Sequence, residues 1–548
     1  MKTKLLWVLI LLAQTFYAQE ITGTWKGELD LGSMKLPLIL NIKKENNALH
    51  SVAKSPKQSD KDIPVDRTEF INNELTFEIK NLDASYKGKF LTDHFEGLFT
   101  QNGHSLPLNL YQNETQKFAE TVIAPIGKRT INTAKIDDFL DYITKNKQSV
   151  GSLSIFRNGK EIYQRSFGQD QLPEAGWNAK TAYQVGSISK LFTAVMLMQL
   201  EEKGQLKLND KLSKYYPGIP NADKITIKNM MNHTSGLGDY VGADYQWLFK
   251  KPAGHQTILD TIKAQGVEFQ PGQKTRYSNS GYYLLSRILE NISKKPYNQL
   301  LKENITSRLG MTHTFSVLDH PQNVFKPYEK KNGKWTEMED FDFVNCIGLG
   351  DISSTPTDLN IFLNGLFGNR LLKKETLQKM LPDPKKPREF GLGMMMIPFY
   401  NQFSYGHGGD TAGSHSVAAF NPDDQYSLAM TINGEELPHN QMAIFINNII
   451  YDKPFEYPKF ETENKETDSA FQKYIGSYQS DEIPIGLKVF AKDHQLFAQG
   501  KGQPEFPLNL ISADQFGFEK AGIVIEFFPE KNQMQLKQNG KVYHFKKE

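Results

Sequence analysis

Apolar and polar residues alternate in short bursts at both ends of the chain and recur at helical spacing in its middle. Between residues 19 and 115, the runs 36–42, 75–79 and 95–110 are apolar or alternating and are broken by Asn, Asp, Gly and Pro. That pattern predicts strands. The tail, 468–548, repeats it: 485–499 alternates, 523–528 is β-rich, and Asn539-Gly540 signals a hairpin turn. Each end is therefore expected to be a small antiparallel all-β domain, a half-barrel.

The centre, 128–455, is patterned differently. Residues 151–167 read as a hairpin in which Asn158-Gly159 supplies the positive φ of a type I′ turn. A helix is predicted from about 187 to 203, apolar at Ile188, Leu191, Phe192, Val195, Met196 and Leu200, with Gly204 as its stop. Another starts at Thr355-Pro356-Thr357-Asp358, an N-cap threonine with proline at N1 and an acid at N3. Segments 416–420 and 426–432 flank Asn421-Pro422-Asp423-Asp424 as strand, turn and strand, and a helix from about 441 to 451 follows. Strands early, helices between and strands late indicate an α+β domain: a sheet whose first and last strands are neighbours, with an inserted helical part. The polar stretch 461–469 reads as a linker.

At 548 residues the chain exceeds one compact core, in keeping with several domains. Its 64 Lys and Arg balance 62 Asp and Glu, and no basic block is interleaved with aromatics, so nucleic acid is not an expected partner. Lys2 and Lys4 precede the apolar run 5–13, and Ala18-Gln19 closes the stretch. Residues 1–18 thus have the layout of a signal peptide, too short to span a bilayer, and the mature chain is expected to be exported, periplasmic or secreted. Phe16 stands where a small residue is usual before the cut, which leaves the cleavage site open and an uncleaved anchor as the alternative. Cys346 is the one cysteine, so an intrachain disulfide, a cysteine zinc cluster and a lipid anchor near the leader are excluded.

Ser187 and Lys190 stand three residues apart at the start of an apolar helical run, where i and i+3 side chains meet. A hydroxyl beside an amine that can take its proton is the minimal serine nucleophile. The motif recurs at Ser51 and Lys54, in a polar stretch expected at the surface, so context must separate the two. Three clusters follow Ser187: His233-Thr234-Ser235-Gly236-Leu237; Pro271-Gly272 leading to Tyr277-Ser278-Asn279; and Tyr405-Gly406-His407-Gly408-Gly409-Asp410.

This ordered set, with Gly348-Leu349-Gly350 ahead of Ser353-Ser354, resembles the active-site motifs of the serine β-lactamase-related family. That family includes class C β-lactamases, D-alanyl-D-alanine carboxypeptidases, D-aminopeptidases and related esterases. The resemblance covers about 130–455. It implies a β-lactamase/penicillin-binding-protein-like fold, an antiparallel sheet with helices on both faces and a helical subdomain, flanked here by two small all-β domains. It implies Ser187 as nucleophile, and Lys190 and Tyr277 as the proton-transfer pair, Tyr277 partly a phenolate beside amines. Which of the two is the base in each step stays open. Asn279 would bond Lys190 and the substrate amide. By the same pattern Gly406–Asp410 lie on an edge strand, where Gly408 and Gly409 let substrate approach and the Asp410 N–H joins that of Ser187 as the oxyanion hole.

His407 replaces a lysine usual in β-lactamases; it would polarise Tyr277, meet a substrate carboxylate, or serve structurally. Gly408 lacks the hydroxyl with which many relatives bind a carboxylate, which favours an esterase or D-residue peptidase over a β-lactamase. His233 reads as a structural loop residue. No His-Glu-x-x-His or Cys/His cluster is present, so neither a metal nor another cofactor is expected. The function implied is an exported serine hydrolase acting through an acyl-enzyme on a D-amino-acid peptide or small ester. The alternatives are a true β-lactamase, or a penicillin-binding or envelope-binding module without turnover. The expected partner is a small-molecule or peptide substrate, with cell-envelope contact open to the β domains.

Overall fold

Nine strands between Gly23 and Tyr111 form one antiparallel sheet, in a computed structural model that describes residues 21–548 apart from short stretches, the longest being 113–122 and 461–470. The expected leader, 1–18, and the expected linker, 461–469, lie outside the described residues. The first strand, Gly23–Asp30, is central, with Lys35–Glu45 on one side and the last strand, His104–Tyr111, on the other. Trp25, Leu40, Phe77, Tyr86 and Phe95 fill the core of this sheet. The second Ser-x-x-Lys lies on the strand Ala48–Ser55, not in an exposed polar stretch. Ser51 is buried against the Thr68 hydroxyl, while Lys54 is partly exposed and pairs with Asp62 at 3.0 Å. Residues three apart on a strand face opposite sides, so that hydroxyl and amine cannot meet.

The central part is built on α1 (Thr133–Lys145), the hairpin β1 (Ser149–Arg157) and β2 (Lys160–Phe167), and the helices α2 (Ser189–Glu202), α3 (Asn279–Ser293) and α4 (Pro356–Phe367). Strands β3 (Met395–Phe399), β4 (Gln402–Asp410), β5 (His415–Asn421) and β6 (Tyr426–Glu435), then helix α5 (His439–Ile450), complete it. The antiparallel order is β2-β1-β6-β5-β4-β3, so the first hairpin does neighbour the last strand. Asn158 and Gly159 take φ of 50° and 75°, as the β1–β2 turn demands. The Thr355 hydroxyl caps α4 by accepting from the Asp358 N–H.

Helices cover both faces of the sheet. Asn360 of α4 donates to Ser154, whereas Asp137 of α1 bonds Tyr163 and Arg165, which pair across the hairpin with Ile155 and Leu153. Residues of opposite parity on a strand point to opposite faces. Behind α4, Phe362 stacks on Phe192 of α2 at 4.0 Å. Every residue of α2 from Ser189 to Leu200 is buried, which makes it the central helix.

Residues from about 456 onward belong to a second compact unit. Its eight strands, from Gly476–Gln479 to Lys541–Lys547, close into a barrel where Tyr478 pairs with Lys547. A half-barrel was expected; alternation along each strand is the same in both forms, and closure depends on tilt and stagger between strands. Val489, Leu496, Phe516, Ile525 and Phe545 fill its interior. Among the described residues no helix is long and apolar enough to cross a membrane.

Candidate active site

The α-helix begins at Ser189, two residues later than the pattern predicts, and Ser187 sits in a 3-10 turn, Gly186–Ile188, that runs into it. It is the only residue between 181 and 200 that is not buried. Lys190, one turn on, is 0% exposed, with Nζ 2.9 Å from Ser187 Oγ and 3.0 Å from the Leu349 carbonyl oxygen. Burial lowers the Lys190 ammonium to about 7, against the pull of the Asp239 carboxylate. An amine so placed is substantially neutral near pH 7 and can accept the serine proton.

The Leu349 carbonyl is held by a loop docked along α2. Gly348 takes φ of +80° and its carbonyl accepts from the Thr193 hydroxyl at 2.7 Å. Buried Asp351 accepts from the Gly348 N–H at 2.7 Å and from the Ser316 hydroxyl at 2.5 Å; burial raises its carboxyl to about 6. Cys346 lies under the same loop as a buried thiol pushed up to about 12 by burial, which leaves it inert.

Tyr277 lies in the coil before α3, and its ring stands 4.9 Å from Lys190 Nζ. Burial pushes its phenol well above the usual range, with the neighbouring Ser187 hydroxyl pulling back. The expected phenolate is therefore not the resting form: the nearby amine faces the ring and is only partly charged near pH 7, too little to offset the lost solvation. His233 fixes Tyr277 from behind. Its ring stacks on the tyrosine at 4.3 Å, its Nδ1 accepts from the Ser278 N–H, and its carbonyl accepts from the Arg276 N–H. The structural histidine thereby acquires a specific role, since the N–H groups of the residues before and after Tyr277 are both tied to it.

Asn279 opens α3, and its amide donates to Asp239 Oδ2 at 3.0 Å. The expected bond to Lys190 is absent among the described residues; the Leu349 carbonyl occupies that role. Asp239 was not singled out from the sequence, although it lies two residues past His-Thr-Ser-Gly-Leu.

The fourth cluster flanks the serine from the sheet. Strand β3 pairs with β4 only as far as Gly406, so 402–406 are interior and the edge expected for the whole segment begins at His407. Here backbone meets backbone. A Cβ on Gly409 would lie 2.0 Å from the Val185 carbonyl oxygen, and one on Gly186 (φ +49°) 2.8 Å from the Asp410 nitrogen. These two glycines bring the Ser187 turn onto the end of β4. Gly408 differs: a Cβ there meets only the Ser416 carbonyl oxygen at 3.7 Å.

His407 is 3% exposed, and burial lowers its pKa to about 4, so the ring is neutral. Its Nδ1 donates to the Gly408 carbonyl, which leaves the lone pair on Nε2. Among the described residues neither His407 Nε2 nor Tyr277 Oη, both buried, has a hydrogen-bond partner. The fold thus gathers Ser187, Lys190, Tyr277, His407 and the 408–410 backbone, with Asn279 tied back through Asp239.

Residues 136–448 match the family model described as Beta-lactamase. A penicillin-binding protein of Bacillus subtilis (strain 168) is 26% identical over 423 residues, covering 72% of this chain and 93% of the relative. The teichoic acid D-alanine hydrolase of Staphylococcus aureus (strain NCTC 8325 / PS 47) is 25% identical over 332 residues, 59% of this chain and 79% of that one. The solved D-amino acid amidase of Ochrobactrum anthropi SV3 has a TM-score of 0.53 at 24% identity, covering 58% of this chain and 99% of its own, a likeness of fold. With an α+β core between all-β parts, the chain belongs to the Beta-lactamase family.

Proposed function

We propose that this protein is an exported serine hydrolase that works through an acyl-enzyme on an ester or amide of a D-amino acid or on a small ester. In this reading 128–455 form the catalytic domain, preceded by the leader 1–18 and a small β domain, 19–115, and followed by a second, 468–548. The observation that carries it is Lys190 Nζ at 2.9 Å from Ser187 Oγ, held near neutrality by burial. Ser187 Oγ attacks the substrate carbonyl as its proton passes to Lys190 Nζ. The oxyanion is met by the N–H groups of Ser187 and Asp410. The lysine proton then reaches the leaving group through the Tyr277 hydroxyl, which stays protonated overall, and water releases the acyl group by the reverse path.

The substrate class follows from what the pocket lacks. A neutral His407 and a side-chain-free Gly408 offer no charge or hydroxyl to a substrate carboxylate. That favours esters and amides without a free carboxylate beside the scissile bond over D-Ala-D-Ala peptides and β-lactams. One relative is named for hydrolysing D-alanine from teichoic acid, and a D-alanyl ester fits this description.

A fluorophosphonate probe should label Ser187, located by mass spectrometry, with a Ser51→Ala variant labelled equally; an adduct on any other residue overturns the site. A parallel panel of p-nitrophenyl esters, D-alanyl esters, D-Ala-D-Ala peptides and nitrocefin should show turnover concentrated in the esters. Efficient nitrocefin hydrolysis would instead support a true β-lactamase. A Ser187→Ala variant with full biological effect would support a binding module.

A further inference from the structure

Four titratable side chains converge where the sheet meets α5. Asp410 ends β4, His415 begins β5, Glu435 ends β6 and His439 begins α5. The two imidazoles stack nearly parallel, with centroids 4.9 Å apart and planes 9° from each other. A carboxylate closes each end of the stack. Asp410 Oδ1 lies 2.8 Å from His415 Nδ1 and 3.9 Å from His439 Nε2. Glu435 Oε2 lies 2.9 Å from His439 Nδ1 and 3.9 Å from His415 Nε2.

We propose that Asp410, His415 and His439 bind a divalent transition-metal ion of the zinc class, with Glu435 orienting both rings. Two imidazoles and a carboxylate are a zinc-type donor set. The three ligand atoms lie within 4.8 Å of one another. Bonds of about 2.0–2.2 Å at tetrahedral angles put neighbouring ligand atoms roughly 3.3–3.5 Å apart, and the observed 2.8 and 3.9 Å bracket that spacing. Binding would turn the two rings out of their parallel stack, so that each directs the in-plane lone pair of the nitrogen facing Asp410 at the ion and keeps its proton on the nitrogen facing Glu435, the usual carboxylate–histidine–metal relay. The hydrogen bond between His415 and Asp410 would give way to two bonds to the ion, the proton of a neutral His415 moving from Nδ1 to Nε2, where Glu435 accepts it as a hydrogen bond. With neutral rings the four side chains carry two negative charges, which a divalent ion balances.

The histidines are part-buried, at 24% and 16% side-chain exposure, and Asp410 at 64% leaves the ion an entry path. The sequence carries no sign of this site because its ligands are spread over two strand ends and a helix start, in none of the spacings that mark metal motifs. Its position has a consequence: the Asp410 backbone rests on Gly186, so an ion held by the Asp410 side chain would fix the end of β4 beside Ser187.

The test uses the full-length protein, stripped with a chelator and titrated with Zn²⁺ by calorimetry and with Co²⁺ by visible absorption. One ion per chain is expected, lost in His415→Gln and in His439→Gln, and bound about 10–100-fold more weakly by Glu435→Gln. Zn²⁺ at a hundredfold excess over Kd should raise the unfolding temperature by about 5 °C, and should not do so in either histidine variant. No saturable uptake by the wild type, or equal uptake by the His415→Gln/His439→Gln double variant, overturns the proposal. Near-UV circular dichroism reports whether the histidine variants fold; should either fail, the affinity of Glu435→Gln decides. Ion uptake is read independently of hydrolysis.

Discussion

Lys190 and Tyr277 are pushed in opposite protonation directions by the same burial, and this divides their work. The lysine, near 7, loses its proton as the pH rises through neutrality. The rate of Ser187 acylation should therefore climb about tenfold per pH unit below 7 and level off above it, as timed probe labelling across pH would show. Neutral His407 and protonated Tyr277 add no second limb near neutrality. Lys190→Arg keeps a cation that cannot deprotonate, so labelling should fall by about 10²–10⁴ across that range. Tyr277→Phe should lower ester turnover by a similar factor while leaving the fold intact, measured by initial rates beside circular dichroism. At Gly408 the space for a side chain argues the reverse, a gain: Gly408→Ser should fold normally and lower KM for carboxylate-bearing substrates relative to neutral esters.

The oxyanion geometry depends on how the Ser187 turn meets β4, and on how the 346–352 loop meets α2. Gly409→Ala drives a methyl into the Val185 carbonyl, and Gly186→Ala adds a strained φ to a clash. Each should cost about 10²–10³ in acylation, as loss of an oxyanion donor does, and Gly409→Ala should also lower the unfolding temperature, because the atom its methyl meets is backbone. Asp351→Ala leaves the Gly348 N–H and Ser316 hydroxyl unpaired in a buried site, a loss of about 2–4 kcal/mol to be read from denaturant midpoints. Much at this level was legible in advance. Asn158-Gly159 placed the first hairpin, Thr355-Pro356 started α4, and Asn421-Pro422-Asp423-Asp424 turned β5 into β6. Those signals are local, set by φ preferences and caps. The 3-10 turn under Ser187 was not legible, because it is fixed by contact with β4, two hundred residues away. Nor was the partner of Asn279, since Asp239 and Leu349 reach the site only through tertiary packing.

The chain's hydrophobic residues separate into cores that share no members: 21–110, the central helices and sheet, and 471–545. Calorimetry should accordingly resolve more than one unfolding transition, and a Ser187 adduct should leave the barrel's transition unmoved. The order of motifs along the sequence was enough to anticipate the central fold, because each sits at an element boundary that the β-lactamase-type topology reuses. Barrel closure and the Asp410–His415–Glu435–His439 cluster were not anticipated, as both arise from spatial relations between strands that leave no local pattern. The early end of β3 at Gly406 reaches further than the catalytic step. Among the described residues the main chain of β4 beyond Gly406 has no β3 partner, so an extended ligand that displaces the His407 ring from the Gly408 carbonyl can dock there as though it were one more strand. Recognition of that kind reads length and backbone, with side chains free to vary on alternate positions, so substrates sharing a shape should compete with one another even where their chemistry differs.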